Sequence, residues 1–223
     1  MADLVDGGTA VPVALALLAK APVAGRVKTR LCPPCSPQEA AALARAALED
    51  TLEAMLSTPG TTPVVVLDGE PGDWLPDGIP VVAQRSGDLG DRLQGALDDV
   101  GGPVLVIGMD TPQVAAPLLA TAASALLAPG TDAVLGPAAD GGYWLIGVRA
   151  PQPGLFTGVA MSVDTTAYEQ RARLRALGLT WTELEVLRDV DGIADAREVA
   201  ATAPRSRFAA ALARLDLEET PDD

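Results

Sequence analysis

Short apolar runs alternate with amphipathic stretches along most of this chain. Residues 11–19, VPVALALLA, are apolar throughout, which is how a strand buried on both faces reads. Ser36-Pro37-Gln38-Glu39 then supplies an N-cap, a proline at the first helical position and a capping-box glutamate, predicting a helix from 37 to about 57. PVVVL (63–67) and IPVVA (79–83) read as strands across a loop rich in Gly, Pro and Asp, with a helix starting near Asp88. PVLVIG (103–108) is the strongest later strand, and Thr111 is placed to cap a helix with Pro112 as its first residue. DAVLG (132–136), YWLIGV (143–148) and LTWTELEV (179–186) read as further strands. A helix is expected between the last two, at about 164–177, and 189–200 reads as a loop entering another. Strands alternating with helices predict an α/β fold, a mostly parallel central sheet with helices on both faces.

Composition changes the picture only at a few points. The 223 residues, 48% hydrophobic and 21% charged, fit one domain over 11–215, with an N-terminal extension at 1–10 and an acidic tail at 216–223 expected to be poorly ordered. The net charge of −14 argues against nucleic acid and against anionic membranes as partners. The apolar run at 11–19 is shorter than the roughly 20 residues a membrane span requires, and Asp3 and Asp6 ahead of it have the wrong sign for a signal peptide. A cytoplasmic protein is expected. With no histidine, His-based triads and His-ligated metals are out, leaving carboxylates, Lys or Tyr to move protons.

One segment inverts the charge. From Gly7 to Gln38 there is no acid, yet Lys20, Arg26, Lys28 and Arg30 all fall there, and Lys20 and Lys28 are the only lysines of the chain. They occupy the loop after the first strand, where open α/β sheets bind ligands, so an anionic ligand such as a di- or triphosphate would account for them. The loop is neither a Walker A sequence nor G-x-G-x-x-G. Asp110, directly after VLVIG, is suited to a hard cation such as Mg²⁺ held together with substrate phosphates. In RDVDG, Asp189 and Asp191 alternate, and one of them could meet the same ion. DGGYW (140–144) is read either as a hairpin turn or as a place where backbone approaches a ligand closely beside Asp140 and Tyr143. SGDLGDRL (86–93), with Gly87 and Asp88 at a helix start, could likewise receive an anion. Cys32 and Cys35 have dithiol spacing just before a helix N-terminus, but zinc lacks its other two ligands.

AKAPVAGRVKTRL, GDLGDRL, IGMDTP, LGPAADGGYWLIGV and RDVDG, in that order, resemble the bacterial DUF2064 family of transferases over about residues 12–200. The resemblance implies a three-layer, Rossmann-like GT-A fold of the nucleotide-diphospho-sugar transferase superfamily, similar to cytidylyl-, guanylyl- and molybdopterin-nucleotide transferases. It implies nucleotide binding through Ala19, Lys20, Gly25, Lys28, Arg30, Gly87, Asp88 and Asp110. Mg²⁺ or Mn²⁺ would sit on Asp110 and Asp191, with Asp189 the less favoured partner, and the acceptor on Asp140, Gly141, Gly142 and Tyr143. Lys28, Asp110 and Asp140 are the expected catalytic residues. Gly192-Ile193-Ala194-Asp195 departs from the Thr-Pro-Glu-Asp that often follows the late aspartate in that family. The cysteines look incidental.

Two reactions fit. In nucleotidyl transfer an acceptor phosphate or other anionic oxygen attacks the α-phosphorus of a nucleoside triphosphate and pyrophosphate leaves; in glycosyl transfer an acceptor attacks the sugar of a nucleotide sugar. GMDTP carries a single Asp where glycosyltransferases usually have D-x-D, which leans toward the first. A noncatalytic nucleotide-binding protein is the third reading. The partners expected are the nucleotide and a small-molecule acceptor, with a homodimer left open.

Overall fold

A computed structural model describes residues 12–215; the expected extension at 1–10 and the acidic tail at 216–223 lie outside them. Seven strands form one sheet: β1 (Val13–Lys20), β2 (Thr61–Asp68), β3 (Val81–Ala83), β4 (Val104–Gly108), β5 (Ala133–Pro137), β6 (Tyr143–Val148) and β7 (Trp181–Glu183), in the order β3-β2-β1-β4-β6-β5-β7. Every pairing is parallel except those of β6 with β4 and β5.

β1 explains the layering. Val13, Leu15, Leu17 and Ala19 enter one core cluster and Ala16 the other, as the period of two along a strand requires. On the first face pack α1 (Pro37–Leu56), through Leu48, Leu52 and Met55, and α3 (Ala116–Leu127), through Leu119, Ala122 and Leu126. On the second pack α2 (Leu89–Val100), through Leu93, Ala96 and Leu97, and α4 (Thr166–Ala176), through Leu174. Helices α5 (Ile193–Thr202) and α6 (Arg207–Leu212) lie against α1, with Phe208, Val199 and Leu43 in a third cluster. The expected α/β fold, with a mostly parallel sheet and helices on both faces, is the observed one. Among the described residues no helix is long and apolar enough to cross a membrane.

The capping signals hold where a side chain completes them. Ser36 accepts from the Glu39 N–H while the Glu39 carboxylate accepts from the Ser36 N–H, and Asp88 and Asp91 form the same reciprocal pair at α2. Thr111 does not start a helix. Val114 N–H closes a turn on the Thr111 carbonyl, and α3 begins only at Ala116. Val114 is buried and the Gln113 amide donates to the Arg188 carbonyl at 2.7 Å, so this stretch is held by its packing against the late loop. The strand expected over 179–186 is limited to 181–183; beyond it the chain stays beside β5 only through the Leu184 N–H on the Leu135 carbonyl and an isolated bridge of Leu187 with Ala138.

Candidate active site

From β1 the chain moves outward through β2 to β3, then returns to place β4 on the other side of β1. The loops after β1 and β4 therefore diverge from adjacent strand ends, the topological switch point at which open α/β sheets bind ligands. A cavity of about 600 Å³ opens there. The end of β1 contributes Lys20 and the β1–α1 loop Arg26, Lys28 and Arg30; the β4 end contributes Asp110, and the segment before α5 contributes Asp189 and Asp191.

Lys28 is the hinge of this arrangement. Its backbone is left-handed, at φ 49°, where it caps the short 3₁₀ turn Thr29–Leu31 that drops Leu31 into the core. A non-glycine residue held there is uncommon and marks a place where the surroundings dictate the backbone. The side chain is only 6% exposed; its ammonium lies 2.5 Å from Asp110 Oδ1 and donates to the Val190 carbonyl. The Val190 N–H in turn donates to the Asp110 carbonyl at 2.9 Å. One lysine thus ties three distant segments together.

That tie sets which way the RDVDG residues face. Val190 is fully buried, and the residues on either side of it differ in what they meet. Asp191 is half exposed and accepts from Arg30 Nη1 at 2.9 Å. Asp189 faces inward. Its Oδ1 is buried with no hydrogen-bond partner among the described residues, and burial, reinforced by the Asp110 and Asp140 carboxylates and only partly offset by Lys28, pushes its carboxyl up to about 7.

Asp140 lies in the turn joining β5 to β6, so the hairpin and the ligand-facing readings of DGGYW both apply. Its Oδ1 accepts from the Gly142 N–H at 2.8 Å. Gly141 has φ +91°, and a Cβ there would collide with the Asp164 carbonyl oxygen, so glycine is required at that position. Tyr143 reaches the cavity with its hydroxyl 3.6 Å from Met161 Sδ; burial raises its pKa, which keeps the phenol neutral.

Of the residues expected from sequence, Ala19, Lys20, Lys28, Arg30, Asp110, Asp140, Gly142, Tyr143 and Asp191 line one cavity. Gly25, Gly87, Asp88 and Gly141 do not line it. Gly25 serves the turn closed by the Arg26 N–H on the Val23 carbonyl, and Asp88 spends its carboxylate on the α2 cap. Sequence reasoning did not single out Leu89, Arg92 and Leu93, which come from the first turns of α2, nor Met161, Ser162 and Asp164, from the loop before α4. For α2 the signal was available in the i, i+3, i+4 spacing of Leu89, Arg92 and Leu93; the loop before α4 carries no recognisable motif.

Both cysteines are free. Cys35 is buried against Leu31 and Leu43, and that burial, with neighbouring Cys32 and Glu39, raises its thiol pKa. Burial thus works against a thiolate at Cys35, and the pair packs in the cluster under α1.

The parallel sheet with its late antiparallel strand and a switch-point cavity between β1 and β4 is the architecture of the GT-A and nucleotidyltransferase fold. A solved structure from Desulfovibrio desulfuricans G20, provisionally named a nucleotide-diphospho-sugar transferase, is 28% identical, with a TM-score of 0.81 over 90% of this chain and 94% of that one. A cytidylyltransferase from Leptospira borgpetersenii serovar Hardjo-bovis (13% identity, TM-score 0.57, 96% and 100% covered) and a CMP:2-keto-3-deoxy-manno-octonic acid synthetase complexed with CTP (14%, 0.53, 86% and 99%) share the fold. The chain belongs to the DUF2064 family, described as an uncharacterized protein conserved in bacteria, whose model matches residues 40–163, more than half of its length. No curated protein matches it.

Proposed function

We propose that the protein is a magnesium-dependent nucleotidyltransferase that moves a nucleotidyl group from a nucleoside triphosphate to a small acceptor and releases pyrophosphate. The observation that carries this reading is the meeting, in one cavity, of the basic loop with the carboxylates of Asp110 and Asp189 around the buried Lys28 ammonium.

The donor set fits a hard divalent ion. Asp110 and Asp189 offer carboxylate oxygens, one of them buried and unpartnered, and Lys28 shows that a positive charge is held beside them. Among the described residues no group of three or more His, Cys, Asp or Glu side chains is arranged to hold a metal, so an ion here would have to take its remaining ligands from substrate phosphates and water. Asp189 replaces Asp191 in this proposal, because its carboxylate turns inward beside Asp110 and has an unpartnered oxygen, whereas Asp191 is half exposed against Arg30. When bound, the ion would orient the α-phosphate and offset the charge that builds on it.

The chain's own groups do the rest. Lys20, Arg26 and Arg30 neutralise the triphosphate, and Lys28, already desolvated, pairs with the departing pyrophosphate. Asp140 takes a proton from the acceptor. The name of the D. desulfuricans structure favours a second reading, transfer of a sugar from a nucleotide sugar, through the same cavity. The two differ in leaving group. With a triphosphate and Mg²⁺, the enzyme is expected to release pyrophosphate, and Lys28→Met to lower that rate at least ~100-fold, the loss of one preorganised charge at the leaving group. Release of nucleoside diphosphate from a nucleotide sugar, with no pyrophosphate from any triphosphate, would replace the first reading by the second.

A further inference from the structure

The charges lining the cavity are sorted by wall. Among the described residues its cations are Lys20, Arg26, Lys28, Arg30 and Arg92, all from the end of β1, the β1–α1 loop or α2. The wall built by the β5–β6 turn and the approach to α4 presents none: it offers Asp140, Tyr143, Met161, Ser162 and Asp164.

That wall is fixed in place. The Ala167 N–H donates to the Gly141 carbonyl at 2.8 Å, and the Thr166 hydroxyl meets the Val163 N–H at 3.1 Å and the Ala160 carbonyl at 2.9 Å. The arginines that follow on α4 are committed elsewhere, Arg171 to Glu183 at 2.7 Å and Arg173 to the Gly154 carbonyl at 2.8 Å. A phosphate or carboxylate on this side would face two carboxylates, and the wall itself supplies no cation. Tyr143, whose hydroxyl donates only to the Met161 thioether, can turn that donor to a hydroxyl oxygen, and Met161 and Val163 give apolar contact.

We propose that the acceptor is a hydroxyl compound without an anionic group, bound between Asp140, Tyr143 and Asp164. This rests on the transferase reading above and replaces the phosphate acceptor expected from sequence. In the step, the acceptor oxygen bonds to the α-phosphorus and the bond from that phosphorus to the pyrophosphate oxygen breaks, its electron pair leaving with pyrophosphate. The hydroxyl proton passes to the Asp140 carboxylate.

The test offers the Mg²⁺-loaded enzyme a nucleoside triphosphate with glycerol or glycerol 3-phosphate at equal concentration, and reads the adducts by ³¹P NMR. Transfer to glycerol is expected to exceed transfer to glycerol 3-phosphate at least ~10-fold, and Asp164→Lys, at an exposed position, to narrow that ratio at least ~3-fold. Equal or faster transfer to the phosphorylated compound, an adduct at its phosphate oxygen, or an unchanged ratio in the variant would overturn the proposal. If the triphosphate gives no product while a nucleotide sugar glycosylates glycerol in preference to glycerol 3-phosphate, the nucleotidyl reading fails and the acceptor proposal stands. No transfer to glycerol from either donor overturns it.

Discussion

Asp110→Asn is expected to lower turnover about 10³-fold and to remove the Mg²⁺ dependence of nucleotide binding, while leaving the fold intact. The magnitude corresponds to about 4 kcal/mol of lost transition-state stabilisation, within reach of one anionic ligand whose loss deprives the reacting phosphate of its ion. The fold should survive because the Val190 N–H still reaches the Asp110 backbone carbonyl, and the asparagine side-chain oxygen can still accept from the Lys28 ammonium, which keeps its bond to the Val190 carbonyl. The side chain is half exposed and meets Lys28 alone. Circular dichroism and nucleotide titrations with and without Mg²⁺ check both halves; Mg²⁺-dependent binding that persists in the variant would remove Asp110 from the metal site.

Asp189→Asn should do something an ordinary active-site substitution does not: inactivate the enzyme and stabilise it. The Asp189 carboxyl is raised from 3.8 to about 7 in the folded protein, chiefly by burial. A group whose folded pKa is raised contributes stability that is fully present below its unfolded pKa, near 4, and lost as pH rises through about 7. At pH 8 the metal-free wild type therefore carries a buried charge it would rather not hold. The shift corresponds to at most about 4 kcal/mol, so the variant should gain about 2–4 kcal/mol at pH 8, or roughly 5–10 °C in Tm for a chain of this size, and nothing at pH 4. Mg²⁺ should raise the Tm of the wild type and leave that of the variant unmoved, more so at pH 8 than at pH 6, because the ion must compete with the proton. A variant equally stable to wild type at both pH values would show that Asp189 is not buried as a charge.

The sequence pattern carried the frame of this site and missed its depth. A strand apolar on both faces and a loop holding every lysine of the chain located the switch point, and an aspartate after the strongest later strand located Asp110. Which of Asp189 and Asp191 turns inward was not legible. Alternation shows that the two face opposite ways, but which one faces inward is set by a hydrogen bond between Val190 and Asp110, residues eighty positions apart. Asp88 reads as part of a helix start that could receive an anion; it caps α2 in a box completed by Asp91 and does not line the cavity. The wall proposed to hold the acceptor was hidden for another reason. Met161, Ser162 and Asp164 owe their place to α4 docking on Gly141, a tertiary contact with no local pattern.

The central claim, that this cavity binds a triphosphate through its basic loop and a metal through Asp110 and Asp189, is tested most directly by thermal unfolding with each nucleoside triphosphate and each common nucleotide sugar, with and without Mg²⁺. The expected result is stabilisation by at least one triphosphate, larger with Mg²⁺ and abolished in Asp110→Asn, with no comparable effect of the sugar nucleotides. Stabilisation by a nucleotide sugar alone, or binding indifferent to Mg²⁺, would contradict it.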